Sequence, residues 1–178
     1  VESSTNIKEL GIEVAYDIHK RGGSVTIESS PDCRDPSTPY YYQRGGYTSA
    51  TQWPLWEDPT VRKFMAETQS KIVTRPMSNF GCPYKAYRSL CMNPAAMAHA
   101  QEWIESSVET PATGTNMSGT DDNGQSHGEL AGEYTAPMSR MLYNIHSRAQ
   151  AARNITLQHS ANKREREAMP PPTPRLPK

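Results

Sequence analysis

Residues 22–31 read Gly-Gly-Ser-Val-Thr-Ile-Glu-Ser-Ser-Pro, a short β-branched run that carries one carboxylate, Glu28, to its end and breaks at Pro31. In open α/β sheets the carboxyl ends of the strands face the ligand crevice, so a glutamate closing such a strand is a ligand-contact candidate. The competing reading is a solvated strand-end carboxylate paired with Arg21 or Arg34. No complete catalytic motif accompanies it. The histidines (19, 99, 127, 146 and 159) are scattered, and nothing in their spacing sets one beside an activated nucleophile. Cys82, Cys91 and His99 match no common zinc spacing and read as buried or free side chains, so neither a metal nor a cofactor is expected.

Two further segments have the chemistry of recognition. Tyr40-Tyr41-Tyr42 and Arg44-Gly45-Gly46, with Arg21-Gly22-Gly23 elsewhere, combine aromatic faces that stack on bases with arginines that contact phosphate. Tyr40, Tyr41, Tyr42 and Arg44 are therefore nucleic-acid contact candidates, against the alternative of a packed tyrosine cluster. The C-terminal segment sets Pro171, Pro174 and Pro177 at P-x-x-P spacing around Arg175, the pattern of an extended arm that docks in an aromatic groove. These four are partner-binding candidates. The glycosylation patterns at Asn116 and Asn154 are short enough to arise by chance.

The elements that would position these groups follow from periodicity and caps. Ile7, Leu10, Val14 and Ile18 fall on one helical face, with Thr5 as N-cap, basic residues 19–21 in the last turn and Gly22 as C-terminal cap, which predicts a helix over 6–21. A strand over 24–28 follows after a minimal turn. Residues 31–54 are rich in Pro, Gly, Tyr and Ser and read as loop. Asp58-Pro59 opens a second helix whose inner face is Val61, Phe64, Met65 and Thr68. Residues 71–74 predict a second strand halted by Arg75-Pro76, and 86–92 a third. Asn93-Pro94 repeats the helix-opening device for a helix reaching about residue 108, and a last helix is predicted over 137–158.

The αβ rhythm predicts an α/β fold with a small parallel sheet, packed helices, long irregular loops and an extended Pro-rich arm. The expected organisation is an α/β body over 1–108, a flexible polar loop over 109–128, a helical segment over 129–160 and a basic Pro-rich tail over 161–178. Residues 109–128 hold almost no large apolar side chain and cannot offset their own ordering entropy without a partner.

Composition narrows the function classes. Only 35% of the 178 residues are hydrophobic, and there are 15 prolines and 11 glycines, so much of the chain must be irregular. The formal net charge is zero, which leaves no global field for nucleic acid or an anionic membrane. Charge is nonetheless divided: residues 163–178 hold five Lys or Arg against two Glu. Three cysteines are too few and odd in number for a disulfide framework. Apolar runs fall far short of the roughly 18 residues of a membrane span, and the first residues lack the regions of a signal peptide. A soluble intracellular protein is expected.

Ile27-Glu28-Ser29-Ser30-Pro31, then Trp53 and Trp56 ahead of Pro59-Thr60-Val61, then Asn79-Phe80-Gly81-Cys82-Pro83-Tyr84-Lys85, resemble the C-terminal half of DNA (cytosine-5) methyltransferase-like modules over residues 5–100. The resemblance implies that Glu28 would hydrogen-bond a target cytosine, although Ser29 stands where that family has Asn. It also implies a half-module, because the Gly-rich S-adenosylmethionine turn and the Pro-Cys nucleophile do not occur in this chain. Three functions are thus expected in order: a non-catalytic interaction subunit ordered by other protein chains, the target-recognition half of a split methyltransferase-like module, or an RNA-binding accessory protein.

Overall fold

The computed structural model describes residues 2–32, 34–41, 54–106, 112–116, 120–126 and 134–168. Helix α1 spans Glu2–Lys20, so Thr5 lies within it rather than capping it. Its end is a Schellman turn: Gly23 N–H donates to Ile18 O and Gly22 N–H to His19 O, both at 2.8 Å, with Gly22 at φ +74°. Strand β1, Thr26–Ser29, follows. A 3₁₀ turn at Leu55–Glu57 leads to α2, Pro59–Thr68, where Asp58 caps the helix by accepting from the N–H groups of Thr60 and Val61. The chain continues through β2 (Lys71–Pro76), a 3₁₀ turn (Met77–Phe80) and β3 (Tyr87–Met92).

The sheet has the order β1-β3-β2, and both pairings are antiparallel. The expected parallel sheet is therefore corrected. The αβ rhythm does run β1 and β2 in the same direction through the α2 crossover, but β3 returns from β2 and inserts between them. In this split β-α-β arrangement the two like-directed strands β1 and β2 do not pair with each other within the sheet.

Strand alternation gives the sheet two apolar faces. Ile27, Cys91 and Ile72 stand in one row and pack with Ile12, Ala15, Trp56, Val61 and Phe64 under α1 and α2. The Tyr16 ring meets Phe64 edge-on at 5.0 Å in this layer. Leu90 and Met92 point the other way, into a core with Met77, Phe80, Met138 and Ile145.

That second core is closed by α3 (Pro94–Met97), α4 (Gln101–Ser106) and α5 (Ala136–Ala168). The single helix expected from residue 94 is broken, because His99 and Ala100 bond back three residues to Ala96 and Met97. Helix α5 is much longer than expected. It continues through Lys163–Glu167, an i,i+4 ion pair of 3.8 Å, into the stretch read from sequence as tail.

The inner face of α1 also differs from expectation. Ile12 and Ala15 are buried, and Tyr16 packs beside them, whereas Leu10, Val14 and Ile18 face outward. The helix carries apolar residues on two opposite faces, and the sheet takes the one that holds Ile12, Ala15 and Tyr16. Part of the polar stretch 109–128 is tied down: Thr115 bonds Pro83 and Lys85 through its backbone, and Asp121 Oδ1 accepts from Asn123 and Gln125 N–H.

Candidate functional site

Glu28 is the penultimate residue of β1, near the end of the sheet where β2 also finishes and β3 begins. Its Cα partner is Leu90, which places Arg88 diagonally across on the same face. Arg88 Nε lies 2.8 Å from Glu28 Oε1, and the Tyr134 hydroxyl donates to Oε2 at 3.1 Å. Both carboxylate oxygens are thus engaged within the fold, by a partner other than Arg21 or Arg34. Burial and the neighbouring Glu28 charge raise the Tyr134 phenol above its ordinary value, which keeps it protonated as a donor.

Of the tyrosine group, Tyr40 packs against Tyr87 with ring centroids 5.4 Å apart, and Tyr41 is exposed. The Tyr87 hydroxyl accepts from Ala112 N–H at 2.7 Å, fixing that ring from the other side. Tyr42, Arg44, Pro171, Pro174, Arg175 and Pro177 lie outside the described residues. Cys82 and Cys91 are free and buried, and burial pushes the Cys91 thiol up to about 11, against a partly offsetting hydrogen bond from Ser70. Among the described residues no group of three His, Cys, Asp or Glu side chains converges on a metal position.

The opposite end of the sheet holds a feature that sequence reading missed. The α1–β1 turn and the middle of α5 enclose an open groove of about 900 Å³, lined among others by Ile18, Arg21, Ser24, Tyr143, His146 and Arg153. Ser24 Oγ and His146 Nδ1 share a 2.8 Å hydrogen bond across 122 residues of sequence. Burial lowers the His146 pKa, so the ring is neutral at physiological pH.

A serine beside a neutral histidine is the start of a nucleophile–base pair, but that chemistry needs a group to orient the ring. The pair links α5 to the α1–β1 turn, and among the described residues no carboxylate bonds His146. Beneath it, buried Asn93 caps α3 through Ala96 N–H at 3.1 Å, accepts from Val25 N–H at 3.0 Å and donates to Gly23 O at 2.9 Å. No short motif signals this clamp beyond Asn93-Pro94, which announces only the helix start.

Large apolar side chains are exposed on both helices that line the groove. On α1, Leu10, Val14 and Ile18 are 60%, 50% and 40% exposed, and on α5 Ile155 and Leu157 are 57% and 54% exposed. From residue 150 to 168 the described side chains of α5 are exposed apart from half-buried Arg153. No helix among the described residues is long and apolar enough to cross a membrane. Compared with protein families, with curated proteins and with solved structures, the chain matches none.

Proposed function

We propose that this chain is a non-catalytic interaction module of a larger assembly, in which other polypeptide surfaces cover α1 and the distal half of α5. The observation that carries this reading is the outward row Leu10, Val14 and Ile18 beside a groove that α5 overhangs. Contiguous exposed apolar surface of this kind marks contact sites. A helix without tertiary packing is only marginally stable in water, so the free stretch of α5 gains most from a neighbour.

The two other readings have less support. Target contact by Glu28 would require releasing both Arg88 and Tyr134 from its carboxylate. Base stacking on Tyr40 would compete with its packing against Tyr87. The test is native isolation from the source with mass determination and identification of bound chains. The expected result is an assembly in which residues 10–18 and 150–168 are protected from amide exchange; a lone monomer with both segments unprotected overturns the reading.

A further inference from the structure

The groove beside the Ser24–His146 pair carries positive charge on both walls. Arg21 reaches it from the end of α1 and Arg153 from α5, while no Asp or Glu lines it among the described residues. Tyr143, Ser147 and Gln150 share the face of α5 that Arg153 continues, at three- and four-residue spacing.

The two guanidinium groups are not equivalent. Arg21 turns one edge to Asp17, with Nε 3.1 Å from Oδ1 and Nη2 2.9 Å from Oδ2, in a solvent-exposed pair. Arg153 is half-buried, and among the described residues its guanidinium bonds no oxygen. A Cβ on Gly22 would stand 3.8 Å from Arg153 Nε, so the head group of Arg153 lies against the capping glycine, next in sequence to Arg21. A cation beside the carboxyl end of a helix is favourable in itself. That contact still leaves the fork of N–H donors unused, and a withdrawn charge without a counter-ion is costly.

Going beyond the interaction reading, we propose that this groove binds a small phosphate monoester that carries a flat ring. The phosphate takes donors from Arg153, from the outer edge of Arg21 and from the Ser147 hydroxyl. Three donor groups suit an anion with three terminal oxygens, where a carboxylate offers two. The ring lies against Ile18 and Tyr143, the latter 71% exposed. The volume of about 900 Å³ falls within the size of small-molecule sites.

Isothermal titration calorimetry of the full chain with phenyl phosphate at low ionic strength tests this, with inorganic phosphate and phenol as the two halves of the probe. Phenyl phosphate should bind saturably and more tightly than either half. Arg153→Gln should weaken it by about tenfold or more, and Tyr143→Ala should reduce it to the level of inorganic phosphate. Arg153→Lys keeps the charge beside the end of α1 but loses the planar fork, so it too should weaken binding while thermal unfolding stays close to wild type. Arg140→Gln, on the same helix outside the groove, should change nothing. Absence of saturable binding, unchanged affinity in both Arg153 variants, or an equal loss with Arg140→Gln would overturn the site, and an unaffected Tyr143→Ala would overturn the placement of the ring. These titrations use the isolated chain, so their failure leaves the interaction reading to stand or fall on native isolation.

Discussion

Asn93 Oδ1 stands 3.0 Å from the backbone nitrogen of Val25 and 3.1 Å from that of Ala96, so one buried side-chain oxygen starts α3 and holds the entry to β1. Its amide nitrogen completes the clamp on Gly23 O at 2.9 Å. Replacing Asn93 by Ala leaves two backbone N–H groups and one carbonyl unsatisfied inside the fold. The expected loss is about 2–4 kcal/mol in chemical denaturation. Asn93→Asp retains the acceptor but sets a second oxygen against Gly23 O in a buried site, so it too should destabilise the fold.

The faces of α1 make opposite predictions for similar residues. Ile12 is buried in the α1–α2 layer, and Ile12→Ala should cost about 2–4 kcal/mol. Leu10 points outward, and Leu10→Ala in dilute chain should change stability by no more than about 0.5 kcal/mol. Thermal or urea unfolding of the two variants side by side checks the assignment.

Glu28 and Arg88 pair within the fold at 2.8 Å. Both side chains are largely withdrawn from water, and a double-mutant cycle with Glu28→Gln and Arg88→Met should give a coupling of about 1–2 kcal/mol. A coupling near zero would return Glu28 to the role of a free strand-end carboxylate.

His146 titrates lower in the folded chain than in the unfolded one because burial disfavours its charged form. Below the unfolded value of about 6.5 the unfolded state binds more protons, so stability is full above that pH and declines as pH falls through the folded pKa. Urea unfolding at several pH values should show this decline, and His146→Gln should flatten it.

Cys91 is fully buried with its thiol pushed up to about 11. A thiol reagent at about pH 8 should modify it only as fast as the chain opens, because the reactive thiolate is scarce and shielded. Peptide mapping after timed alkylation measures this rate. Rapid modification of Cys91 in folded protein would contradict the packing of the α1–α2 layer.

Much of the fold was legible where short-range chemistry decides it. Asp58-Pro59 and Asn93-Pro94 announced α2 and α3 because capping depends on one side chain and the N–H groups next to it. Basic residues 19–21 and Gly22 marked the end of α1 for the same reason. What local pattern could not decide was which of two apolar faces of α1 the sheet would take, or that β3 would slip between β1 and β2. The length of α5 was missed because a highly charged end resembles a solvated tail, although Lys163 and Glu167 support a further helical turn. The strand-end position of Glu28 was readable, but Arg88 and Tyr134 lie 60 and 106 residues further along and carry no motif. The Ser24–His146 contact was hidden likewise.

Because β3 sits between the two strands that precede it, neither β1 nor β2 has its sheet neighbour until residues 87–92 exist. During synthesis the first half of the chain therefore emerges with its strand edges open, and the middle of the sheet is the last piece to arrive. Asn93 comes off the ribosome immediately afterwards and latches the start of β1, so closure and locking fall within a few residues of one another.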